Sequence, residues 1–509
     1  MLLVIGLDAA EKDLVLAWAR AGYLPTFRRL LDAGVWGRTD GPLGMYAASA
    51  WHTLVTAVTP ARHGRHADRQ IHTGTYRMER FRPGDLKREP FWNVLSRAER
   101  RVAVIDVPYI ALSAGLNGVH VVDWTTHAAD SGFSTWPPEL ADDLRRDFGV
   151  DPVGLCDHQH IRTVAEVAAF RDALIARIAM KTRFSTGLLQ RGPWDVFVTA
   201  FGECHCVGHQ CWHVHDPEHP QHDRVVAGAV GDPLRAVYVA IDTAIGELVA
   251  AVGPETTVMV VSSHGMGPNF YGAHLLGEIL ARLGHQTSPA QPGWLWHVAQ
   301  WSWRRLPLAI RRRLTPLQKN AVDRLWPLLD GRSACFDVPN GEVYGAIRVN
   351  LVGREPQGKI KPGADYDAFC ERLARELSAL INADTGQPAV RRVLRTADID
   401  AGPYLNDLPD LLVEWNAAAP LDAVSSPRTG TVRVAMPGLR TGHHRPQGFF
   451  VAAGPGIGPA EVAPAVSIMD LAPTIAGLVG VELPDVDGHP IAACMGAHEN
   501  QPAEAQDRC

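Results

Sequence analysis

The run LLVIGLD, Leu2 to Asp8, is apolar or glycine at every position until it meets a carboxylate. A short continuous apolar run bounded by a polar turn residue is what a strand buried on both faces requires. The pattern recurs in RVAVIDVP (101–108), WDVFVTAFGE (194–203) and TVMVVSSHG (257–265), each closing on Asp, Gly or Ser and each followed by a helical pattern. Strands alternating with helices predict an α/β fold, a three-layer sandwich with a mostly parallel central sheet. Ligands of such sheets gather at the carboxyl ends of the strands. The polar residues singled out below all lie at such ends.

Composition fits this class. The chain has 509 residues, 46% apolar and 20% charged, with a formal charge of −6, enough for one large core with an insertion. The small negative charge gives no basic footprint for a nucleic-acid polymer. The amino-terminal apolar run is too short for a membrane span and lacks a basic segment ahead of it, so neither an export signal nor a membrane partner is expected. Eight scattered cysteines without a regular framework point to reduced thiols in a bacterial-type cytoplasm.

We expect core segments over 1–270 and 341–495, a helical insertion over 271–340 and a loose tail over 496–509. The insertion carries Trp294, Trp296, Trp301, Trp303 and Trp326 around RRLPLAIRRRL, which reads as amphipathic helices broken by Pro307 and Pro316 and capping the core. After it, residues 343–396 read as a strand, a helix and a strand.

Several motifs carry chemistry. Asp8 ends the first strand. The stretch YAASAWHTLVTAVTPARHG, Tyr46 to Gly64, has the rhythm of a nucleophile at a helix start, with Ala47 where a hydroxyl would stand; Ser49 is the nearest hydroxyl, a substitute nucleophile if the turn shifts, and otherwise the cap of a helix beginning near Trp51. In FGECHCVGHQCWHVHDPEHPQHD, Phe201 to Asp223, His205 and His209 are spaced i, i+4, so both imidazoles can face one metal. Cys204, Cys206 and Cys211 lie in the same stretch but lack the paired C-x-x-C spacing of a zinc knuckle. VVSSHGMGPN supplies Ser263, His264 and Asn269, and RTGHHRPQGFF supplies His443, His444 and Arg445.

Taken in order, Asp8, SAWHTLVTAVTPARHG, the E-x-H-x-x-G-H of 203–209, S-x-H-G-M-G-P-N, G-x-H-R-P-x-G and the closing IMDLAPTIAGLVGVELPDVDG resemble the alkaline phosphatase superfamily. Within it the chain is most similar to the type I phosphodiesterase and nucleotide pyrophosphatase branch. The resemblance implies a two-metal site, usually zinc, with a Ser or Thr nucleophile between the ions. Counting back from Trp51, that position falls on Ala47. One ion would be held by Asp8, Ser263, His264 and the nucleophile, the other by His205, His209 and His444. Ser263 and His205 stand where the family has carboxylates, so Asp8 is the one carboxylate left. Two adjacent divalent ions repel strongly without anionic ligands. We therefore expect one zinc held firmly by the three histidines and a second ion at most weakly.

The implied substrate is a small anionic phosphoryl or sulfuryl ester, with Asn269 and Arg445 placed to contact its non-reacting oxygens. Three readings of Ala47 stand: a hydrolase whose nucleophile has been substituted, a native enzyme using metal-bound hydroxide, and a non-catalytic ligand-binding protein. A His-rich iron enzyme is a further class, since imidazole also suits iron.

Overall fold

The computed structural model describes residues 1–126, 132–154, 156, 161–287, 302, 329, 331–341, 343–436 and 440–496. They form two compact units, one of residues 1–59, 83–269 and 439 onward, the other of 60–82 and 270–438.

The first unit is built on a nine-stranded sheet. In spatial order its strands are Ala460–Ser467, Val35–Asp40, Gln447–Ala453, Thr257–Ser262, Leu2–Leu7, Val196–Phe201, Val102–Ile105, Gly118–Val122 and Ser134–Trp136. All four quoted runs are strands and lie side by side in the parallel centre. Antiparallel pairing enters where Gln447–Ala453 joins Thr257–Ser262 and Val35–Asp40, and at the Ser134–Trp136 edge. The expected α/β sandwich with a mostly parallel sheet is the observed architecture.

Alternation along the first strand explains the layers. Leu3, Ile5 and Leu7 enter one apolar core, with Val15, Phe27 and Leu174 from helices Lys12–Arg20, Pro25–Ala33 and Val164–Leu189. Leu2 and Val4 point the other way, into a core with Trp51, Phe91 and Ile475 from helices Tyr46–Thr56, Phe91–Arg97 and Leu471–Gly477. The long helix starts where a capping box permits, Thr163 accepting from the Glu166 N–H while the Glu166 carboxylate takes the Thr163 N–H.

The register of the parallel strands aligns their carboxyl ends. Leu7 stands opposite both Phe201 and Ser262, so Asp8, Gly202 and Ser263 leave the sheet at one level. Just beyond it a two-stranded ribbon pairs Gly265–Pro268 with Gly442–Arg445.

One local expectation is overturned. The helix of the Tyr46 stretch begins at Tyr46, with Met45 as its N-cap and no side-chain cap. Ser49 is inside the first turns, buried, and donates its hydroxyl to the Met45 carbonyl at 2.6 Å. A serine four residues past a carbonyl can bond back to it without ending the helix, so Ser49 caps nothing.

In the second unit, Cys335–Val338, Gly345–Val349, Leu411–Trp415 and Val390–Arg395 form an antiparallel sheet. The strand, helix and strand expected over 343–396 are Gly345–Val349, Ala364–Ser378 and Val390–Arg395, with Leu411–Trp415 inserted between the two strands. Buried ion pairs Arg348–Glu355 and Arg354–Asp410, both at 2.7 Å, brace it. The Trp-rich stretch with Trp294, Trp296, Trp301, Trp303 and Trp326 lies outside the described residues, as does the tail from 497.

Candidate metal centre

Three elements meet at the carboxyl end of the central strands. Helix Glu203–His215 follows directly on strand Val196–Phe201, so its first two turns carry His205 and His209 on one face. The ribbon strand Gly442–Arg445 carries His444. The two approach closely because residue 442 is glycine; a Cβ there would stand 2.2 Å from the Gly208 carbonyl oxygen.

His209 Nε2 is 3.1 Å from His205 Nε2 and 3.0 Å from His444 Nε2. The ring is oriented from behind, its Nδ1 lying 2.7 Å from the Gly442 carbonyl. A carbonyl only accepts, so Nδ1 carries the proton and Nε2 presents a lone pair. Burial, reinforced by Arg440 and the neighbouring imidazoles, pushes the His209 pKa well below its ordinary 6.5. His444 is pushed the same way, by burial and then by His264 and His205. Both rings are therefore neutral at physiological pH, the form that binds metal. The three ligand atoms lie within 4.8 Å of one another, and a ring held by a carbonyl at its far nitrogen is how metal-binding histidines are usually fixed. The donor set fits a single divalent ion with a position left open.

A cavity opens on this cluster. Its walls are His205, His264 and His444, then Asp8, and on the helix side Ala47, Ala50, Trp51 and Tyr109. Asp8 is buried; its backbone N–H donates to the Phe201 carbonyl at 2.9 Å and its Oδ1 accepts from the Trp51 indole at 2.7 Å. The same Trp51 ring covers Gly6, where a Cβ would come within 2.7 Å of it. His264 Nε2 is 4.0 Å from Asp8 Oδ1, and His264 Nδ1 is 2.8 Å from Ser263 Oγ.

Asp8, Ala47, His205, His264 and His444 thus line one cavity, with His209 joined to it through His205 and His444 and Ser263 through His264. Ser49 and Asn269 do not line it; the Asn269 amide donates to the Arg440 carbonyl at 3.2 Å and its N–H to that of Thr441 at 2.9 Å. Arg445 lies over Gly267 on the ribbon, its Nε 2.2 Å from where a Cβ would be. His443 stands behind the cluster, its Nδ1 accepting the His444 N–H at 2.8 Å. Tyr109 is the lining residue that sequence reading missed. It lies beyond the end of strand Val102–Ile105, in a left-handed backbone with φ 63°.

The profile of the type I phosphodiesterase / nucleotide pyrophosphatase family matches residues 2–415. A search among curated proteins found no match. Among solved structures, phosphonoacetate hydrolase from Sinorhizobium meliloti 1021, bound to phosphonoacetate, superposes with a TM-score of 0.51 at 13% identity, over 92% of this chain and 94% of that one. A variant of the alkaline phosphatase PafA gives a TM-score of 0.51 at 12% identity, over 96% and 98%. At such identities these two likenesses bear on the fold alone.

Proposed function

Because the chain belongs to the type I phosphodiesterase / nucleotide pyrophosphatase family, a family of hydrolytic enzymes acting on phosphoryl esters, we propose that its cavity takes a small phosphodiester or related phosphoryl or sulfuryl ester. In this reading His205, His209 and His444 hold one divalent ion, best zinc, and Ala47 leaves the site without its side-chain nucleophile. The observation that carries the proposal is the convergence of the three imidazole Nε2 atoms beside a cavity wall that includes Ala47.

A bound ion there would supply Lewis-acid polarisation of a phosphoryl oxygen. The chain's own residues do the rest. Asp8, held by the Trp51 N–H, and His264, within hydrogen-bond distance of Ser263, form the adjoining wall. A second ion on that wall would find one carboxylate, one imidazole and one hydroxyl, too little negative charge to offset repulsion from its neighbour. Helix Tyr46–Thr56 opens with Ala47 in its first turn, and the amino end of a helix suits a tetrahedral anion.

The deciding experiment is Ala47→Thr and Ala47→Ser with zinc and an activated aryl phosphodiester. We expect either hydroxyl to create turnover that the Ala47 chain lacks, since an alkoxide at the helix start is both nucleophile and ligand. Metal analysis should show one ion per Ala47 chain and a strengthened second ion in the variants. If the Ala47 chain itself turns over an ester and Ala47→Thr abolishes that turnover, attack is by water and the substituted-nucleophile reading is wrong.

A further inference from the structure

His205 faces two ways. Besides the histidine cluster it belongs to a second group, with Cys156 and Cys206, whose ligand atoms also lie within 4.8 Å of one another and whose residues are all buried. Cys206 is the next residue along the helix from His205. Cys156 is tied to that helix through its own carbonyl, which accepts from Gln210 Nε2 at 3.0 Å.

We propose that Cys156, His205 and Cys206 form a second metal site, rich in sulfur, that adjoins the three-histidine cluster and takes a thiophilic d10 ion of the zinc or cadmium class. The spacing suits it. Metal–sulfur bonds of about 2.3 Å and metal–nitrogen bonds of about 2.0–2.1 Å put the ligand atoms of a tetrahedral site roughly 3.6 to 3.8 Å apart, a contraction of about 1.2 Å at most from separations that all lie within 4.8 Å.

Charge also favours it. Two thiolates and a neutral imidazole cancel a divalent ion's charge, so the loaded site is neutral and suited to burial. The three-histidine cluster contributes no anion of its own. A guanidinium is already aimed at one thiol: Arg177, wholly buried, donates from Nη1 to Cys206 Sγ at 3.8 Å while Asp151 holds its other edge at 2.8 and 2.6 Å.

The test uses the full chain, stripped of metal and kept reduced, titrated with Cd²⁺ alone and read by thiolate-to-cadmium charge-transfer absorption. A band should rise and saturate. Cys156→Ser and Cys206→Ser should each weaken cadmium binding at least 10-fold and lose half or more of the band, while His209→Ala and His444→Ala, which break the histidine cluster, should leave it in place. Absence of the band in the parent chain, its survival in both cysteine variants, or its loss in His444→Ala overturns the proposal. X-ray absorption of the unmutated chain loaded with zinc needs no variant. Sulfur neighbours at about 2.3 Å are the expected result, and nitrogen and oxygen alone at every loading is the contrary one. Neither readout depends on turnover, so an inactive protein leaves the test intact.

Discussion

At the residue scale the site rests on single atoms that long-range contacts put in place. The Trp51 indole donates to Asp8 Oδ1 across 43 residues of sequence, and the same ring packs over Gly6. Trp51→Phe keeps most of that packing and removes the donor to a buried carboxylate. We expect a loss of about 1.5–3 kcal/mol, measured as a lower urea midpoint at unchanged m-value. Gly6→Ala should cost about 1–3 kcal/mol by overpacking against the ring. Residue types were legible here: Asp, His and Ser at strand ends are visible in one dimension, and the i, i+4 spacing of His205 and His209 orders two imidazoles on one helix face. Ser49 was misread because a serine before an apolar run looks like a cap, whereas the helix had already begun at Tyr46. Tyr109 carries no such signal, since only the sheet order brings the end of Val102–Ile105 towards the cavity.

At the scale of elements the cluster depends on how closely a helix and a ribbon strand approach. Helix Glu203–His215 and strand Gly442–Arg445 meet backbone to backbone where Gly442 faces the Gly208 carbonyl. Gly442→Ala must push the ribbon away from Gly208 and carry His444 from His209, while leaving every ligand present. We expect metal affinity to fall 10-fold or more, as it does when the supports of a ligand are disturbed, with zinc competition as the readout. Gly208→Ala is the milder contrast, because the nearest atoms its Cβ would meet belong to the flexible Met266 side chain, at 2.6 Å, rather than to backbone. The long buried strands were readable from their continuous apolar runs. The ribbon was not, because four-residue strands such as GMGP and GHHR contain glycine, proline and histidine and show no period.

At the scale of the whole molecule, buried titratable groups in both units set the response to pH. Burial lowers His120 in the first unit to about 3, and His63 and His66 in the second to about 3, the last two with help from Arg65 and Arg348 respectively. Each folded pKa lies below the unfolded 6.5, so the stability these residues contribute is complete above pH 6.5 and is lost as pH falls towards 3. His120→Asn, whose amide oxygen can still accept from the Ser113 N–H, should flatten the acid limb of the unfolding free energy by about 1.4 kcal/mol per pH unit. Asp337 has the opposite sign: burial raises it from 3.8 to about 7, so its contribution is complete below 3.8 and lost as pH rises through 7. Asp337→Asn should therefore gain on the parent chain towards alkaline pH, read from the same urea titrations. The sheet order also has a consequence in time. Both neighbours of strand Val35–Asp40 are Gln447–Ala453 and Ala460–Ser467. A chain emerging from the ribosome at about 5–20 residues per second leaves that strand without a sheet partner for on the order of 20–80 s. The histidine cluster waits in the same way, since it needs His444 and cannot close before that residue has been made.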